Sequence, residues 1–262
     1  MKIQKTLAII LLFSVSQSFL YGQANETILV HSSTVDSIPE KRNNKTTEII
    51  GVALPAAMIT YGLISLGDNG IQKLDHNVQH SLELNNRFWY ISADDYVQFS
   101  PAIAAFTMKF CKVESSHNLL DMTILYGLSN ILAGGITQGA KMTIGRKRPD
   151  TSNTHSFPSG HTQTAFVAAE FLHQEYKDKS VWISIGGYSA ATFVGIARIY
   201  NNKHWLSDVV AGAGIGILST KVVYWVYPYL QEIVGKKDRA LQTFILPGYS
   251  DGNLSLAISH TF

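Results

Sequence analysis

The chain has 262 residues, 46% of them hydrophobic and 15% charged, which gives room for one sizeable core and more apolar character than an ordinary soluble domain. A formal net charge of +2 is too small to argue for nucleic acid. One cysteine, Cys111, excludes an internal disulfide and any cysteine-based metal cluster. These quantities leave two classes open, a helical membrane protein and a soluble all-helical one.

At the N-terminus Lys2 and Lys5 precede an apolar run over residues 7–15, followed by Gly22, Gln23 and Ala24. A positive end, a short apolar stretch and a small-residue exit describe a secretory signal peptide over residues 1–22; an uncleaved first span is the alternative. Residues 23–48 are polar and mixed in charge and read as a flexible lead-in. A helical domain is expected over residues 49–240. Within it, residues 49–66 carry no charge until the chain turns polar at Asp68, and residues 68–95 read as short helices and loops.

Residues 97–110 are apolar but short for a span because of Pro101 and Lys109. Four apolar segments follow, at residues 122–140, 161–172, 181–197 and 209–227; Glu170 interrupts the second and Lys221 the fourth. Gly212, Gly214 and Gly216 lie two apart in the last, a pattern that suits close helix contacts. Residues 241–262 form a tail in which turn residues separate two short apolar runs, the second alternating, and this predicts a β-hairpin.

Three clusters of reactive residues sit at the edges of those helices. Lys141 precedes Arg146, Lys147, Arg148 and Pro149, so cations crowd the end of an uncharged helix. Pro158-Ser159-Gly160-His161 is a capped helix start, where free backbone N–H groups and a partial positive charge suit an anion and His161 can protonate a leaving oxygen. Arg198, His204 and Asp208 form the third cluster. A carboxylate four residues from an imidazole can fix its tautomer and make the other nitrogen a nucleophile, and arginine matches a tetrahedral oxyanion. Each cluster alone is equally well an ordinary helix cap or surface pair. Together they supply a nucleophile, an acid and a cationic cradle, the parts that covalent phosphoryl transfer needs.

The three clusters, Lys141-x6-Arg148-Pro149, Pro158-Ser159-Gly160-His161 and Arg198-x5-His204-x3-Asp208, resemble the three-part signature of the type 2 phosphatidic acid phosphatases and vanadate-binding haloperoxidases. The match holds in order and spacing from Lys141 to Asp208. The residue before Arg198 is Ala197, where the family usually has serine. The resemblance implies that His204 attacks phosphorus, Asp208 holds its other nitrogen, and His161 first protonates the leaving oxygen and then activates water. It also implies that Lys141, Arg148, Ser159, Gly160 and Arg198 hold the phosphate oxygens, with no metal and no cofactor.

The fold so implied is an all-α helical bundle, membrane-spanning, with a short C-terminal β-hairpin. All three clusters must then share one side, and the segments alternate in direction so that they do. Basic residues Lys177, Lys179, Lys236, Lys237 and Arg239 fall on the opposite, cytoplasmic side, which turns the site toward the periplasm of a bacterial inner membrane. A soluble periplasmic enzyme is the alternative. The expected substrate is an envelope lipid phosphate: lipid A, phosphatidic acid, phosphatidylglycerol phosphate or undecaprenyl diphosphate. The other functions that the sequence leaves open are a non-specific acid phosphatase, a vanadate-dependent haloperoxidase and a nonenzymatic membrane component.

Overall fold

The computed structural model describes residues 45–85, 90–238, 242–250 and 253–261. The expected leader, most of the lead-in and the tip of the hairpin lie outside these residues. Eight helices occupy the described part of the chain, in the order α1 (Lys45–Ile64), α2 (Gly70–Asn85), α3 (Asp94–Val97), α4 (Ser100–Phe110), α5 (Leu119–Ile144), α6 (Gly160–Tyr176), α7 (Val181–Tyr200) and α8 (Leu206–Asp238). The described part of the chain up to Thr220 is all-helical, and it forms one compact unit. The second unit, residues 221–262, holds the end of α8 and two strands, β1 (Gln242–Ser250) and β2 (Asn253–Thr261), paired antiparallel with Ile245 opposite Ile258.

Local chemistry explains where the site-bearing helices begin and end. Asn118 caps α5 by accepting from the Asp121 N–H at 2.9 Å, and Gly145 ends the helix at φ 64°, a left-handed conformation that suits a residue without a Cβ. Ser180 caps α7 through Trp182 N–H. Residues 68–95 depart from the reading as short pieces, because α2 is a regular helix of 16 residues. Its Leu74, Val78 and Leu82 recur every four residues and pack with Ile199, Leu206 and Val209.

The core centres on α6. Ala165 and Ala169 meet Ala191 and Val194 of α7, so small side chains let those helices approach closely. Val167 packs with Ala133 of α5 and Ile215 of α8. The glycines of α8 act in two directions. A Cβ on Gly212 would come 2.6 Å from the Ser159 carbonyl and one on Gly216 2.6 Å from that of Gln163, while Gly214 faces Pro55 of α1. Only glycine lets α8 lie this close to α6, and that contact brings the third cluster against the second. On the outside, α5 and α8 are long and apolar enough to cross a membrane. Ile131, Ile136 and Met142 of α5 are exposed.

Candidate active site

The alternating helices deliver all three clusters to one end. α5 and α7 finish there with Lys141 and Arg198, whereas α6 and α8 begin there with His161 and Asp208. The segment 145–159 wraps between them, and the Ser159 N–H donates to the Asp208 carbonyl at 3.0 Å.

His204 lies in the turn before α8 and is 1% exposed. Its Nδ1 stands 2.8 Å from the Ser156 carbonyl oxygen. A carbonyl only accepts, so Nδ1 carries the proton and Nε2 keeps a free lone pair. Burial lowers the His204 pKa to about 4; Asp208 opposes this, and Lys141 and Arg198 add to it. At neutral pH the ring is therefore uncharged, with Nε2 holding a lone pair.

The expected hydrogen bond from His204 Nδ1–H to Asp208 is not formed, since Asp208 Oδ2 is 3.6 Å from Nδ1. Asp208 is buried and committed elsewhere. It accepts from Arg146 Nη1 at 2.6 Å, from Trp205 N–H at 3.0 Å and from the Ser156 hydroxyl. The Trp205 contact is half of a capping box at the start of α8. Arg146 in turn bridges to Asp75 of α2 at 2.8 Å and lies 5.5 Å over the Trp205 ring. Asp75 accepts from the backbone N–H and the hydroxyl of Ser207.

The remaining cations converge around this core. Lys141 Nζ donates to the His155 carbonyl at 2.8 Å, and its Cε passes 4.0 Å from where a Cβ on Gly160 would lie. Arg198 is buried and its Nη1 donates to Asp94 Oδ2 at 2.8 Å. The Nε atoms of Arg148 and Arg198 are buried without a hydrogen-bond partner in the protein. Ser159 is buried with its hydroxyl 2.9 Å from that of Thr162. His161 Nε2 stands 2.8 Å from Asp95 Oδ1.

At the rim, Lys203 reaches Asp150 at 2.7 Å; burial pushes the Asp150 carboxyl up, but Lys203 and Ser152 outweigh it and bring the pKa down to about 2. The eight residues singled out from the sequence thus share one end of the bundle. The sequence reading missed Asp75, Asp94, Asp95 and the Ser156 carbonyl, and it counted Arg146 only as one more cation. The arrangement offers an uncharged imidazole nitrogen, a second imidazole and unpaired guanidinium donors, a set that suits a tetrahedral oxyanion.

The family model of the PAP2 superfamily matches residues 123–232, a window that holds all three clusters. The chain is 34% identical over 189 residues to lipid A 1-phosphatase of Porphyromonas gingivalis, covering 69% of this chain and 42% of that one. It is 34% identical over 110 residues to phosphatidylglycerophosphatase B of Bacillus subtilis, covering 37% and 52%. The chain spans about half the length of these curated relatives. A solved structure, the transmembrane PAP2 type phosphatidylglycerolphosphate phosphatase from Bacillus subtilis, is similar in fold with a TM-score of 0.50 at 21% identity, covering 68% of this chain and 97% of that one.

Proposed function

We propose, for a chain that belongs through its residues 123–232 to the PAP2 superfamily, a membrane phosphatase that hydrolyses an envelope lipid phosphate through a phosphohistidine on His204. The observation that carries this reading is the His204 ring: Nδ1 is tied to the Ser156 carbonyl, so Nε2 is free beside cations whose donors lack protein partners.

Nε2 attacks phosphorus as the bond to the lipid oxygen breaks, and His161 gives that oxygen its proton. His161 then takes a proton from water as the water attacks phosphorus, the P–N bond breaks, and inorganic phosphate and neutral His204 are restored. Lys141, Arg148 and Arg198, with the Ser159 hydroxyl and the Gly160 N–H, hold the phosphate oxygens and offset the charge of the transition state. Asp208 supports the ring through its field and fixes the start of α8. The cations supply the charge stabilisation a metal would otherwise give, so on this reading turnover needs none.

The substrate is a phosphomonoester or diphosphate of lipid A, phosphatidic acid, phosphatidylglycerol phosphate or an undecaprenyl carrier. The names of the relatives support a lipid phosphate in general. The unburied apolar surface of α5 supports a bilayer location; the orientation proposed, from the basic residues Lys177 and Lys179 at the opposite end, puts the site toward the periplasm of an inner membrane. Residues 49–240 form the phosphatase domain, preceded by a leader or first span over 1–22 and a lead-in over 23–48, and followed by the tail at 241–262.

The test is phosphate release from a panel of these lipids with chelator present and with His204→Ala as control. Release by the wild type alone, inhibited by vanadate, supports the reading. Release by folded His204→Ala, or loss in chelator restored by a divalent ion, overturns the mechanism. Recovery of the protein in the soluble periplasmic fraction without detergent overturns the membrane location.

A further inference from the structure

Two acidic residues that lie outside the 123–232 window reach into the site from α3. Asp94 is 0% exposed and holds Arg198, while Asp95 is half exposed and holds His161. Their helix is anchored to the elements that carry those partners. Val97 packs on the α6–α7 cluster, and the Ile91 N–H and carbonyl both bond the side chain of Asn201, the residue that ends α7. The Gln98 side chain donates to the Asp95 carbonyl at 2.8 Å.

We propose that Asp95 is the positioning residue for His161, and that it selects Nδ1 as the nitrogen that exchanges protons with substrate. This rests on the reading of the site as a phosphatase with His161 as its acid and base. A general acid must aim one ring nitrogen at the leaving oxygen, and the other must be held to fix the ring. Asp95 Oδ1, at 2.8 Å, accepts the Nε2 proton. That leaves Nδ1, the ring nitrogen nearer the residue's own backbone in the first turn of α6. The proton on Nδ1 passes to the oxygen of the breaking P–O bond, and neutral Nδ1 later takes one from the attacking water. The Nε2 proton stays on the ring, hydrogen-bonded to Asp95, in both halves, so the ring returns to its starting state. Asp94 acts in parallel on Arg198: it takes up Nη1 and leaves the buried Nε edge of the guanidinium for the oxyanion.

A carboxylate 2.8 Å from His161 and 3.9 Å from Arg198 has a second reading, as a stand-in for phosphate that substrate must displace. The two readings predict opposite signs. The anchored backbone of α3 favours positioning, because a stand-in has to move aside.

The experiment compares wild type, Asp95→Asn, Asp95→Glu and His204→Ala on phosphatidic acid and on p-nitrophenyl phosphate, with the unfolding temperature of each. Asp95→Asn is expected to lower kcat on phosphatidic acid about 10- to 100-fold with KM nearly unchanged, a part of what general acid–base catalysis contributes. The loss is smaller on p-nitrophenyl phosphate, whose phenolate leaves without a proton. Asp95→Glu recovers part of kcat, and the half-exposed position keeps the unfolding temperature of both variants at the wild-type value. A rise in turnover or a fall in KM for Asp95→Asn identifies a stand-in and overturns the proposal. So does unimpaired turnover, or a loss accompanied by a lower unfolding temperature. Wild-type protein that releases phosphate from neither substrate removes the functional reading and this assignment together; active wild type with an unimpaired Asp95→Asn removes the assignment alone.

Discussion

At the end of the bundle where α6 begins, Asp208 and Asp75 share Arg146 at 2.6 and 2.8 Å, and Asp94 holds Arg198 at 2.8 Å. Where α6 ends, Glu170 is buried against the Tyr188 hydroxyl and Gln174, and Glu175 against His117 at 2.9 Å. Both ends bury carboxylates, but the partners differ. The far-end contacts just named are with neutral donors and a histidine. The site end meets its carboxylates with guanidinium groups and still leaves Arg148 Nε and Arg198 Nε buried without a protein acceptor. A buried donor left unpaired costs about 1–3 kcal/mol. The site end thus keeps buried guanidinium donors that, on the proposed reading, an oxyanion takes up.

The contrast breaks first at Arg146. Arg146→Met strands Asp75 and Asp208 together, and losing one partner of a buried ion pair costs about 3–5 kcal/mol. The expected outcome is a large fall in unfolding temperature in detergent and loss of phosphate release. Arg146→Lys recovers only part, because one ammonium cannot fork to two carboxylates. Glu170→Gln probes the far end. It is expected to cost about 1 kcal/mol of stability through weakened hydrogen bonds and to leave turnover unchanged. A turnover loss as deep as that of Arg146→Met would erase the distinction between the ends.

A gentler probe is pH. The His204 pKa is lowered to about 4, below the ordinary 6.5, chiefly by burial. Unfolded chains therefore bind the extra proton first as the medium is acidified. Stability tied to neutral His204 is complete above pH 6.5 and falls as pH drops toward 4. Thermal unfolding of wild type should weaken across that window, and His204→Gln should flatten the slope. The smallest effect is expected at Lys179, whose pair with Glu114 is solvent-exposed at the far end. Lys179→Ala is expected to move neither unfolding temperature nor turnover measurably.

Much of this is legible in the sequence. Lys141, Arg148, His161, Arg198, His204 and Asp208 lie at the ends of consecutive helices, so helix direction alone gathers them. The charge-free stretch over residues 181–197 is helical as its composition implies, and Glu170 faces inward as a carboxylate on an apolar helix should. The rest was hidden for distinct reasons. Asp75 meets Ser207 across 132 positions and Asp94 meets Arg198 across 104, separations that no local pattern reports. The group that orients His204 is a backbone carbonyl, which no residue type announces. The Asn and His content of α2 masked a signal that was present, since Leu74, Val78 and Leu82 at four-residue spacing mark a buried helical face. That face puts Asp75, beside Leu74, against the bundle.

The central claim is that His204 Nε2 forms a bond to phosphorus. Incubation of the detergent-solubilised protein with a lipid phosphate carrying labelled phosphorus, quenched in alkali during turnover, measures it directly. The account predicts an alkali-stable, acid-labile label on the peptide that contains His204, absent from His204→Ala. Labelled phosphate released with the label never found on His204, or found on another residue, would contradict it.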